Sequence, residues 1–204
     1  MTVGMGVARD LESGFFDRLL LAPVKPLGLI AGPMGAAVVR AVIPFLLVLP
    51  VGLLAGARLR GGVQGGVMLL VASLGCALLG AAWSIGLALR AKSMQIAPLM
   101  QMGIFLAVFL STAQVPLSVM TGWLHAVARV NPMTNILALS RQGFIGDVTW
   151  GQTWPGLVAL VGAIGVSRLL LGVHFISDIA GGWVLGLAWL AGSTAAFSVW
   201  RTEE

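Results

Sequence analysis

Charge is scarce in this sequence. Of its 204 residues only 9% are Asp, Glu, Lys or Arg, against 58% hydrophobic. A soluble domain of this length needs far more charge to cover its surface, which excludes a soluble globular fold. Cysteine is nearly missing as well. The lone Cys76, inside the apolar run LGCALLG, excludes an internal disulfide and a cysteine metal site; it reads as a small helix- or lipid-facing residue. Basic clusters are lacking: the twelve Lys and Arg stand singly between apolar runs, so the net charge of +5 implies membrane anchoring and topology signals, and no nucleic acid. No G-x-x-x-x-G-K-S/T loop occurs, which excludes ATP hydrolysis by this chain. The opening MTVGMGVARDLESGFFDRLL lacks the basic start and apolar core of a signal peptide.

What is present is a series of long uncharged stretches, the mark of membrane-spanning helices. The expected fold is an all-α integral membrane protein with about five transmembrane helices and an outer re-entrant helical region. Arg40 and Arg58 bracket the first span, AVIPFLLVLPVGLLAGA, seventeen residues or roughly 26 Å at the helical rise. The preceding GLIAGPMGAAVV is expected to continue the helix along the interface. Residues 61–89 carry no charge and form the second span, with Gly62, Gly66, Ala72, Gly75, Gly80 and Ser84 allowing close helix approach. A third span covers about 93–110, and two more are expected at 154–171 and 179–200. Between them, residues 111–153 are too polar to span and too apolar for a free loop. Their tryptophans favour short helices dipping into the outer leaflet.

The N-terminal segment 1–27 reads as an amphipathic helix at the membrane surface. Leu11, Phe15, Phe16, Leu19 and Leu20 fall at helical spacing, with Asp10, Glu12, Asp17 and Arg18 between them, and Pro23 and Pro26 stop it. With this segment cytoplasmic, Arg9, Arg18, Lys25, Arg40, Arg90, Lys92 and Arg168 lie inside and Arg58, Arg60, Arg129, Arg141 and Arg201 outside. Seven basic residues against five favour a cytoplasmic N-terminus. Arg40 reads as a snorkelling helix-end arginine, with a substrate path as the alternative.

Residues 8–161 resemble the permease subunit of type-two ABC exporters. ARDLESGFFDRLLLAPVKP is similar to the cytoplasmic stretch before that family's third helix. VPLSVMTGWLHAVARVNPMTNILALSRQGFIG is similar to its outer re-entrant region, with Pro, Gly-Trp and Asn-Pro in order. The resemblance implies a multi-pass protein of the inner or plasma membrane, moving a lipid, drug or glycan. It implies a separate ATP-binding subunit and a homodimer or heterodimer of permeases in the bilayer. No cofactor or metal is bound directly; ATP acts through the partner. Residues 1–27 would be the coupling segment, with Asp10, Glu12, Phe15, Phe16, Asp17, Arg18 and Leu19 as the docking surface. Residues 28–161 would be the permease-like region, its re-entrant part at 111–153. Six spans are usual in that family, and the resemblance begins after the point where the second would end.

The closing SRLLLGVHFISD resembles a second family, the type-two phosphatidic acid phosphatases, in the third of their three signatures. That implies Arg168 holding phosphate oxygens, His174 as nucleophile and Asp178 orienting the imidazole. His174 and Asp178, four apart, share one helix face. A carboxylate behind an imidazole fixes its tautomer. The other two signatures have no match: Lys25 and Lys92 lack an Arg-Pro partner, and His125 stands in the wrong context. Loss of a general acid alone costs ~10²–10⁴ in rate. Residues 162–204 are therefore read first as phosphatase-like helices whose Arg168, His174 and Asp178 form a local polar cluster. A lipid-phosphate phosphatase using His174 is the alternative. A non-functional fusion of two membrane-protein fragments, joined around 160–166, is another.

Overall fold

The computed structural model describes residues 2–21, 26–146, 148–170, 184 and 188, and among them every regular element is helical. Helices α1 (Thr2–Glu12) and α2 (Phe15–Leu20) meet at a tight turn. Two long helices follow, α3 (Pro26–Leu54) and α4 (Gly62–Ala91). A 3-10 turn at Met94–Ile96 leads into α5 (Ala97–Phe109), and another at Leu117–Val119 precedes α6 (Gly122–Val130). The series closes with α7 (Pro132–Ile145) and α8 (Trp150–Leu170).

Two helices among the described residues are long and apolar enough to cross a membrane: Ala31–Leu54, with 24 residues, and Gly62–Ala91, with 30. At the helical rise these are about 36 and 45 Å, enough for a ~30 Å hydrocarbon core. α5 is apolar but shorter, 13 residues, or about 20 Å. α3 keeps its helix through Pro33, Pro44 and Pro50. In an apolar medium an unravelled backbone would leave several groups unpaired, a larger penalty than one missing N–H.

α4 is the centre of the bundle, touched by α1, α3, α5, α7 and α8. Its C-terminal half shares one core with α1, α3 and α5, built from Val3, Val7, Ala8, Ala37, Ala81, Ile85, Ala88 and Met100. Its N-terminal half shares a second with α7 and α8, where Ala72, Met133, Ile136, Leu139 and Leu160 meet. Near the start of α4 no side chain separates it from α7. A Cβ on Gly143 would lie 2.7 Å from the Gly65 carbonyl oxygen, and one on Gly65 would lie 2.7 Å from the Gly143 Cα. The Gly61 N–H donates to the Gly143 carbonyl at 3.1 Å.

Polar side chains tie the helix ends. Asn131 accepts the Met133 N–H at 3.0 Å, capping α7 ahead of Pro132, and its amide donates to the Ala107 and Leu110 carbonyls at 2.8 and 2.9 Å. The Arg141 guanidinium donates to the Thr112 carbonyl. Gln142, buried, takes the Thr149 N–H and the Thr153 hydroxyl on its side-chain oxygen at 3.1 and 3.2 Å.

Four expectations change. The N-terminal segment is not one surface helix. It breaks at Ser13–Gly14, and α1 packs into the bundle through Val3, Val7 and Ala8. Pro26 opens α3 instead of stopping a helix, as suits a residue with no N–H to lose at a first helical position. The helix runs unbroken through Arg40, as expected, but the apolar span starts at Ala31 and not after Arg40. In the region 111–153, short helices do form, but α7 is packed between α4 and α8, and α8 already begins at Trp150. The span expected at 179–200 lies outside the continuous described residues.

The α4–α7 crossing has a direct consequence for stability. Gly143→Ala forces backbone apart, and such overpacking costs typically about 1–3 kcal/mol. Gly66→Ala, which meets no atom within 4 Å, is expected to be neutral or mildly stabilising. Thermal unfolding in one detergent should show a lower midpoint for the first variant alone.

Candidate functional site

The turn between α1 and α2 is built from short-range bonds. The Ser13 N–H donates to the Arg9 carbonyl at 2.9 Å, the Gly14 N–H to the Leu11 carbonyl at 3.2 Å, and the Ser13 hydroxyl to the Asp10 carbonyl at 3.1 Å. Gly14 sits at φ 71° and ψ 13°, a left-handed conformation that glycine adopts without a Cβ penalty. The reversal throws α2 off the axis of α1.

α1 is held firmly behind this turn. Ala8 is fully buried and Val7 nearly so, both against α4. Gly4 lies so close to α4 that a Cβ there would sit 2.4 Å from the Ser84 Cβ. Leu11 and Phe16 lean on the same core. With Phe16 turned inward, Phe15 is left 51% exposed. Asp17 and Arg18 are exposed beside it, and Asp10 and Leu19 are half-buried. The seven residues expected to form a docking surface thus lie together on one turn, but with different surroundings.

Glu12 is engaged within the chain. One carboxylate oxygen accepts the Met94 N–H at 3.3 Å and the other the Ser93 hydroxyl at 3.5 Å. This carboxylate caps the 3-10 turn after α4, where charge assistance favours an anion on a free N–H. Arg90 and Lys92 are exposed on the same α4–α5 turn. Lys92 ends α4 in a left-handed conformation, φ 50°, its N–H on the Ala88 carbonyl at 2.8 Å. Two turns far apart in sequence are therefore tied at one end of the bundle. The α1–α2 turn is thus joined to α4 through the α1 core and to the start of α5 through Glu12. Ser93 and Met94 belong to this site and were not among the expected residues; a bond across 81 or 82 positions leaves no local pattern.

An apolar groove of about 660 Å³ lies between α4, α5, α7 and α8, with Leu79, Trp83, Ile104, Val108, Met133 and Ala163 in its wall. The Trp83 indole packs over Gly103, and its N–H has no hydrogen-bond partner among the described residues. Among the described residues no group of three His, Cys, Asp or Glu side chains is placed to hold a metal. Of the phosphatase-like residues, Arg168 falls in the last turn of α8. Its side chain, His174 and Asp178 lie outside the described residues.

The family described as ABC-2 type transporter matches residues 1–145. The Daunorubicin resistance ABC transporter permease protein DrrB1 of Streptomyces coeruleorubidus is 29% identical over 167 residues, which covers 80% of this chain and 58% of that protein. The chain thus spans little more than half the length of this relative. No solved structure matches.

The Glu12 tie can be read in solution. Glu12→Ala removes both acceptors, and amide exchange at Met94 and Gln95 should quicken several-fold, while exchange in the core of α4 stays as it was. Unchanged exchange at Met94 would show that the tie does not hold the turn.

Proposed function

The chain belongs to the ABC-2 type transporter family, and from that premise we propose that it is the transmembrane permease of an ATP-driven exporter, with its ATPase on a separate subunit. The observation that carries this is the α1–α2 turn. It presents Phe15, Asp17 and Arg18 outward, is braced from behind by Val7, Ala8 and Phe16, and is tied through Glu12 to the α4–α5 turn. That is what a coupling element needs: an exposed contact and a stiff connection to the helices it must move. Phe15 supplies the apolar anchor, and the charged pair at Asp17 and Arg18 sets its orientation.

In this reading the N-terminal turn faces the cytoplasm and the chain crosses the cell membrane several times, with five spans when the segments at 154–171 and 179–200 are counted. Two permease subunits form one path, each contributing a wall. ATP is bound and hydrolysed by the partner. The substrate is a drug, a lipid or a glycan. The relative is named for daunorubicin resistance, and the apolar groove beside Trp83 suits a flat apolar body, so a drug is the favoured class.

Purification from the native membrane tests the coupling role, with the ATP-binding subunit recognised by its phosphate-loop sequence. Phe15→Glu should lower its recovery about tenfold, the scale of losing an interface anchor. Arg58→Gln, at the far end of the bundle between α3 and α4, should leave recovery unchanged. Full recovery with Phe15→Glu would remove the docking role from this turn.

A further inference from the structure

The groove between α4, α5, α7 and α8 has a wall of one chemistry, with one exception. Among the described residues its lining side chains hold no oxygen, and their single nitrogen is that of the Trp83 indole. An indole N–H can only donate. This one is buried and has no acceptor among the described residues. The ring edge that carries it rests on Gly103 of α5. A Cβ there would lie 2.9 Å from the indole nitrogen and 2.7 Å from Cζ2. Glycine therefore makes room for the ring edge and supplies no acceptor side chain.

Tryptophan in a membrane protein usually keeps its N–H at the wet edge of the bilayer. Trp83 stands eight residues before the end of α4 at Ala91, about 12 Å along the axis. A donor left unpaired in a dry environment carries a desolvation penalty, and an acceptor that reaches it relieves that penalty. Ligand pockets are mostly apolar, with a few polar groups that fix the ligand's orientation. Here that polar group is one donor. A sugar, rich in hydroxyl donors of its own, would find no side-chain oxygen on this wall to accept them.

We propose that Trp83 selects what the groove holds: a flat apolar molecule with an oxygen acceptor, such as a ring carbonyl, at its edge. The indole turns off Gly103 and donates its N–H to that oxygen, while Leu79, Ile104 and Val108 cover the apolar body. The requirement rests on the groove being the substrate site and adds a chemical condition to it. A hydrocarbon of the same shape, lacking the oxygen, binds less well.

The test uses the full chain, isotope-labelled for NMR in detergent, with fluorenone and fluorene as probes. The two share one flat tricyclic shape and differ by a carbonyl oxygen. The methyl of Met133, on the same wall, reports occupancy, and the Trp83 indole resonance is the one lost in Trp83→Phe. Both probes should move the methyl. Fluorenone alone should carry the indole proton downfield, the mark of a new hydrogen bond. The ratio of fluorenone to fluorene affinity should fall about fivefold in Trp83→Phe, the scale of one neutral hydrogen bond; that variant keeps an aromatic ring and removes the donor. Fluorenone that moves the methyl but leaves the indole proton in place, or a ratio unchanged in Trp83→Phe, would overturn the donor role and leave the groove as the substrate site. If neither probe moves the Met133 methyl, the groove takes no flat ligand, and its role as substrate site falls together with the proposal.

Discussion

At both ends of α4 a neighbouring helix comes so close that no Cβ fits between: Gly4 of α1 against Ser84, and Gly143 of α7 against Gly65. In lipid there is no hydrophobic gain from bringing two apolar helices together, because the tails are as apolar as leucine. What remains is close packing, and it is greatest where backbones touch. These two contacts set where α1 and α7 lie on α4. The α1–α2 turn inherits its position from the first, and the wall behind the groove, built by α7 and α8, inherits its position from the second.

The same medium governs the polar residues. Asn131, Arg141 and Gln142 all spend their side chains on backbone groups that helix ends leave open. Glu12 does likewise for the turn after α4. In water such groups would find solvent; in hydrocarbon each unpaired group costs several kcal/mol, about as much as a large core truncation. Ser73 and Ser84, in the middle of α4, turn their hydroxyls back on carbonyls of their own helix.

Much of this was legible from residue pattern. The uncharged run 61–89 reads directly as α4, because nothing in it opposes a long apolar helix. The exposed Asp17 and Arg18 follow from amphipathic spacing, but that spacing puts Phe15 and Phe16 on one apolar face and does not tell which of them turns inward. Arg40 misleads, since a charge normally marks a span's end. A long flexible stem lets its guanidinium sit far from its backbone, and the helix runs on beneath it. The small residues of α4 announce close approach but not where: Gly66 faces open space while its neighbour Gly65 meets α7. Which glycine touches depends on rotation about the helix axis, and that is settled by partners distant in sequence. The Glu12 bond to Met94 is hidden for the same reason. Arg168, His174 and Asp178 remain a spacing with no geometry attached.

Asn131 has one further consequence. Its single side chain holds the last carbonyls of α5 and the first free N–H of α7 at once. Separating these helices would strand three bonds in a dry environment, so relative motion of the pair is costly at that corner. α3 is differently placed. It meets the bundle chiefly through α1 and α4, and it carries three prolines along its length. Each proline leaves one carbonyl of α3 without its backbone N–H partner, so bending costs α3 less than it costs the corner that Asn131 holds closed.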